Sequence, residues 1–103
     1  MPIIEVTKDN FEEEVLNSEI PVLADFNAVW CGPCQSMKPM LENLAAENPG
    51  YKIVSIDIDE EDELTEEYDV ASIPCLVVFK DGEEVNRNVG LIPQDAIAAL
   101  MEE

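Results

Sequence analysis

Trp30-Cys31-Gly32-Pro33-Cys34 places two thiols three residues apart, where one kind of sequence gives way to another. Upstream, Val22-Leu23-Ala24-Asp25-Phe26 is a short, mostly apolar run of the kind that forms a buried strand. Downstream, Met37, Met40, Leu41, Leu44 and Ala45 recur at helical spacing. The dithiol therefore sits at, or just inside, a helix N-terminus. The thiolate is the nucleophile in disulfide exchange, and the partial positive charge and free N–H groups of a first helical turn stabilise a thiolate there. Cys31 is thus predicted to be the acidic, exposed, attacking sulfur. Cys34 shares its helix face and can reach back to form a disulfide or resolve a mixed one. Pro33 suits a first turn, where its missing N–H costs little, and Gly32 is expected to let the backbone turn tightly.

The chain has 103 residues, enough for one core and too few for two, so a single domain over residues 1–103 is expected. Apolar residues make up 47% and are spread along the sequence, which excludes a disordered acidic tail. No repeat or linker divides it, and no apolar run approaches the ~20 residues of a membrane-spanning helix. The start, Met1-Pro2-Ile3-Ile4-Glu5, lacks a basic segment followed by an apolar one, and the simplest address is the cytoplasm. The 24 acidic and 5 basic residues give a formal charge of −19, which repels nucleic acid and anionic membranes. That acidity reads as solubility or tolerance of salt, or as steering towards a basic patch on a partner enzyme. It also opposes the helix by raising the thiol's pKa.

In order along the chain, Ile3 to Val6 forms a weak first strand. Thr7 or Asp9 offers an N-cap, with Asp9 and Glu12 at capping-box spacing, before a helix that buries Phe11, Val15 and Leu16. A strand from about Val22 to Ala28 leads to the dithiol. The following helix contains Pro39, predicted to kink it, and ends at Asn48-Pro49-Gly50. Tyr51 to Asp59 is a second buried strand, completing a parallel strand–helix–strand unit with a right-handed crossover. Asp59 to Asp69 holds eight acidic residues yet keeps Leu64 and Tyr68 four apart, as a short exposed helix would. Cys75 to Lys80, the Asp81-Gly82 turn and Glu83 to Val89 form a hairpin. Gly90 breaks it, and Pro93 opens a last helix burying Ala96, Ile97 and Leu100. The order β-α-β-α-β-α-β-β-α predicts an α/β fold, a mixed five-stranded sheet flanked by four helices.

A CxxC pair can be half of a zinc site, but structural zinc needs four ligands, and the sequence has no histidine and only one further cysteine, Cys75. A purely structural bridge is disfavoured too, because so small a ring restrains the unfolded chain little and the cytosol reduces it. CxxC beside a βαβ pattern is the general pattern of a redox dithiol.

The run from Ala24 to Cys34, then Pro39, Ile73-Pro74, the hairpin at Phe79-Lys80-Asp81-Gly82 and Gly90, resembles the thioredoxin family over essentially the whole chain. The resemblance implies a thioredoxin fold and general protein-disulfide reductase activity. It needs no cofactor beyond the Cys31–Cys34 couple. The implied partners are disulfide-containing proteins and a reductase, either a flavoprotein or ferredoxin-dependent, and the chain itself is expected to be a monomer. It further implies that Cys31 attacks, that Cys34 resolves, and that Pro74 is cis beside the dithiol. The backbone around Ile73 would pair with an extended substrate segment, with Trp30, Gly32, Pro33 and Gly90 completing the binding surface.

Asp25 lies in an apolar strand, where a carboxylate is unfavourable unless paired or protonated. The matching family residue assists proton transfer at the resolving cysteine, and a pKa raised by burial suits a general base for Cys34. The alternative is a strand Asp that merely finds partners or water. Trp30 is either a core aromatic or a platform beside the sulfurs. The sequence departs from the family at Asn27, where a second Trp is common, and at Val29 and Gln35, where charges are frequent. Ser55 replaces a Lys near the buried Asp, and Cys75 a Thr. Fewer basic neighbours alter the setting of Asp25 and weaken cationic support for the Cys31 thiolate. Cys75, next to Pro74, is either a third redox sulfur or a small buried hydrophobe. Readings other than a reductase are a thiol oxidase or isomerase, separated by reduction potential, and a non-catalytic binding subunit, whose activity survives Cys31→Ser.

Overall fold

Alternation along the strands sorts the core residues onto two faces of one sheet. The computed structural model describes residues 3–102; Met1, Pro2 and Glu103, which bound the expected domain and begin the leader reading, lie outside the described residues. The strands are β1 (Ile4–Glu5), β2 (Val22–Asn27), β3 (Lys52–Asp57), β4 (Cys75–Lys80) and β5 (Glu83–Val89). They lie in the order β1-β3-β2-β4-β5. β3 is parallel to both β1 and β2, while β4 is antiparallel to β2 and β5. The helices are α1 (Gly32–Glu47), α2 (Asp62–Glu67) and α3 (Gln94–Met101), preceded by a single wide helical turn over Glu12–Leu16.

One sheet face carries Ala24, Phe26, Val54, Ile56, Val77 and Phe79 against Phe11, Val15 and Leu64. Phe11 and Phe79 pack edge-on with centroids 6.0 Å apart, and Tyr68 stands edge-on to Phe79 at 5.4 Å. The other face carries Leu23, Ile53, Leu76 and Val78 against Met37, Leu41 and Leu44 of α1 and Ile97 and Met101 of α3. Central β2 is therefore covered on both sides, which explains its nearly unbroken apolar run.

Several local expectations are corrected. Neither Thr7 nor Asp9 caps the first helical turn: the Asn10 side chain accepts from the Thr7 N–H at 2.7 Å and Thr7 Oγ1 from the Asp9 N–H at 3.2 Å, so these side chains close a turn instead. β3 stops at Asp57 because Asp57 Oδ1 accepts the N–H groups of Asp59 and Glu60, at 2.8 and 3.3 Å, and turns the chain out of the sheet. α2 is correspondingly shorter than expected. As expected, α1 contains Pro39 and ends before Asn48-Pro49-Gly50, running 16 residues from Gly32 to Glu47. In α3 the deeply buried residues are Ile97 and Met101, with Ala96 and Leu100 only half-buried.

Candidate active site

β2 ends at Asn27, and a short turn through Ala28, Val29 and Trp30 delivers the chain to α1. Cys31 occupies the N-cap position in an extended conformation, and its Sγ accepts the Cys34 N–H at 3.2 Å. A sulfur thus takes the place usually held by a serine or aspartate oxygen, satisfying one of the free donors of the first turn. Cys31 and Cys34 form a disulfide, with Cα atoms 5.2 Å apart. No carboxylate lies in the first turn of α1, so no acidic side chain of that turn competes with the sulfurs for the positive end of the helix.

Two sequence expectations change here. Cys31 is only 5% exposed, because Ala28, Ile58 and Ile73 pack around the closed disulfide. Gly32 does not adopt a left-handed conformation, and a Cβ there would meet nothing within 4 Å. The turn does not require glycine; Gly32 leaves open space beside the sulfurs. Trp30 is 66% exposed, and its indole N–H donates to Asp59 Oδ2 at 2.7 Å, so it lies on the surface rather than in the core.

The Ile73–Pro74 peptide bond is cis. Ile73 packs against the cysteines, and among the described residues its backbone N–H and carbonyl have no hydrogen-bond partner. The Gly90 N–H donates to the Pro74 carbonyl at 2.8 Å. Gly90 has φ +103°, a conformation open chiefly to glycine, so it holds the end of β5 against the proline loop. Val29, Trp30, Val89 and Leu91 are exposed apolar side chains on these same segments.

Asp25 pairs in register with Ser55 of β3 and Leu76 of β4, which places it on the α1 face of the sheet. It is 7% exposed, and burial pushes its carboxyl up to about 7, with a hydrogen bond from Asn27 pulling the other way. Asp25 and Cys34 line one cavity of about 590 Å³, together with Asn27, Ser55, Lys38 and Asp57. Asp25 Oδ1 is buried without a hydrogen-bond partner.

A dithiol at a helix N-terminus, a cis proline packed beside it and a carboxyl titrating near neutrality behind it form one constellation. Comparison with known sequences agrees: the family model described as Thioredoxin matches residues 2–103. The chain belongs to the thioredoxin family. It is 41% identical over 102 residues to thioredoxin C-2 of Corynebacterium nephridii, covering 98% of this chain and 94% of that one. It is 46% identical over 96 residues to a thioredoxin of Chlamydia trachomatis, covering 93% and 92%. With thioredoxin 1 of a Nostoc species the identity is 38% over 99 residues, covering 95% and 92%. The activity that goes with this membership is protein-disulfide oxidoreduction through the CGPC dithiol itself, exchanged with disulfide substrates and a reductase.

Measured against the family pattern, two side chains gain meaning that the sequence did not assign. Asn27 reaches Asp25, and Asp59 holds Trp30. The signal for Asn27 was its position two residues after Asp25 on one strand, which puts both on one face. Cys75 is fully buried and lies with Phe26 and Val77 on the sheet face opposite Asp25. Burial raises its thiol pKa, which disfavours the thiolate.

Proposed function

We propose that the chain is a cytoplasmic, monomeric, single-domain reductase of protein disulfides in which Cys31 attacks, Cys34 resolves and Asp25 is the general base. The Cys31 thiolate attacks one sulfur of a substrate disulfide, forming a mixed disulfide and releasing the other sulfur as a thiolate. Asp25 takes the proton from Cys34. The Cys34 thiolate then attacks the Cys31 sulfur, closing the Cys31–Cys34 bond and expelling the second substrate thiolate, so two electrons have passed to the substrate. The carrying observation is Cys31 Sγ at the N-cap of α1, accepting the Cys34 N–H, since that site favours the sulfur with the negative charge.

An extended substrate segment pairs with the free backbone groups of Ile73 and rests on Trp30, Gly32, Pro33, Pro74 and Gly90. Among the described residues no helix is long and apolar enough to cross a membrane, and the charge of −19 disfavours nucleic acid and anionic lipid as partners. The electron donor is a dedicated reductase, either an NADPH-dependent flavoprotein or a ferredoxin-dependent enzyme. Insulin-type disulfide reduction driven by dithiothreitol, and then by each reductase, tests this reading. Cys31→Ser is expected to abolish turnover. Retained turnover in that variant contradicts the assignment of Cys31 as the attacking sulfur, and an absence of turnover in the unsubstituted protein favours a binding subunit.

A further inference from the structure

Asn27 is the residue at this site for which the reductase reading supplies no role. Its side-chain nitrogen lies 2.8 Å from the Asp25 carbonyl oxygen, 2.8 Å from Ser55 Oγ, 3.3 Å from Asp25 Oδ2 and 3.5 Å from the Ile56 carbonyl oxygen. Two of these four atoms, the backbone carbonyl oxygens, can only accept, and the carboxyl oxygen and the hydroxyl can accept, so chemistry fixes the NH₂ group of the amide as the one facing them. The two N–H bonds are shared among acceptors of β2 and β3, which ties the amide to the backbone of one strand and the Ser55 side chain of the next. Asp25 Oδ2 is touched by this amide, while Oδ1 is buried, free of partners, and belongs to a residue that shares its cavity with Cys34.

We propose that Asn27 is a positioning residue that holds Asp25 by its Oδ2, leaving Oδ1 as the oxygen that takes the proton from Cys34. The assignment rests on Asp25 being the general base. An N–H aimed at a carboxylate favours its ionised form, so Asn27 also keeps more of Asp25 in the base form near neutral pH than burial alone would allow. The other charged groups facing this cavity are Glu5 on β1, Asp57 on β3, and Lys38 and Glu42 on α1. Three of these four are acidic, but the influences on the Asp25 carboxyl are burial, which works against its ionisation, and the Asn27 amide, which works for it.

The full-length protein carrying Asn27→Val tests this, because valine suits a strand and keeps water from replacing the amide. Asn27→Ala serves as the second variant. In the oxidised protein, ¹³C NMR of labelled aspartate follows the Asp25 carboxyl. Stopped-flow kinetics of the resolving step, from a preformed mixed disulfide, follow its use as a base. Loss of a charge-assisted hydrogen bond raises the Asp25 midpoint by about one pH unit in Asn27→Val. Resolution at pH ~7 then slows about fivefold, recovering once the pH exceeds the new midpoint. An Asp25 midpoint that stays put or falls in both variants overturns the positioning role. An Asp25→Asn variant that keeps the wild-type pH profile overturns the general-base reading, and the proposal with it, even if the Asn27 variants move the Asp25 midpoint.

Discussion

Asp25 is the residue where the chemistry and the stability of this protein meet. In the unfolded chain its carboxyl titrates near the ordinary value of 3.8, and in the fold burial holds it at about 7. Below the unfolded value both states are protonated and the residue is neutral to stability. As pH rises from about 4 to about 7, the unfolded chain gives up the proton that the folded chain keeps, so stability falls across that window and stays lower above it. Asp25→Asn removes the penalty. It is expected to raise unfolding free energy by about 4 kcal/mol above pH ~8, with the gain vanishing at pH ~4. Urea denaturation at several pH values checks this; a gain that does not change with pH contradicts the assigned titration. A carboxylate inside an apolar run was legible from sequence as an oddity needing a reason. The hold of Asn27 on it was not, because its acceptors converge only once Asp25 and Ser55 stand side by side on neighbouring strands. The burial of Cys31 was illegible for a similar reason, since Ile73 reaches it from a distant loop.

At the scale of elements, the hairpin between β4 and β5 fixes where Gly90 and the proline loop stand. Asp81 and Gly82 both have positive φ, 54° and 80°, the combination that a two-residue turn of the right twist requires. A Cβ on Gly82 would lie 2.9 Å from the Leu16 carbonyl oxygen, so the turn also packs on the end of the first helical turn. Gly82→Ala is expected to destabilise the protein by about 2 kcal/mol or more, through the left-handed backbone and that contact together. Gly50, with no positive φ and nothing within 4 Å, is the control, and alanine there should be nearly neutral. Equal effects in chemical denaturation contradict this account of the hairpin. That turn was readable because Asp-Gly between two strand segments specifies its own backbone. The start of the first helical turn was not, because Thr7, Asp9 and Asn10 can each bond the local backbone in several ways.

Over the whole molecule, the short apolar runs of β2, β3 and β4 and the helical periodicity in α1 and α3 made the layered fold and its order of elements readable. Charge shapes the same object differently. The acidic segment around α2 follows directly after Asp59, which holds Trp30, so the dense negative charge abuts the rim of the dithiol. A reductase or substrate that docks there meets an acidic flank beside an apolar platform. The central claim is the division of labour between the two sulfurs, and covalent trapping tests it most directly. Cys34→Ser, reduced and mixed with a disulfide protein, is predicted to accumulate a one-to-one adduct that mass spectrometry maps to Cys31. An adduct mapped to Cys75, or none formed while Cys31→Ser traps one through Cys34, would contradict it.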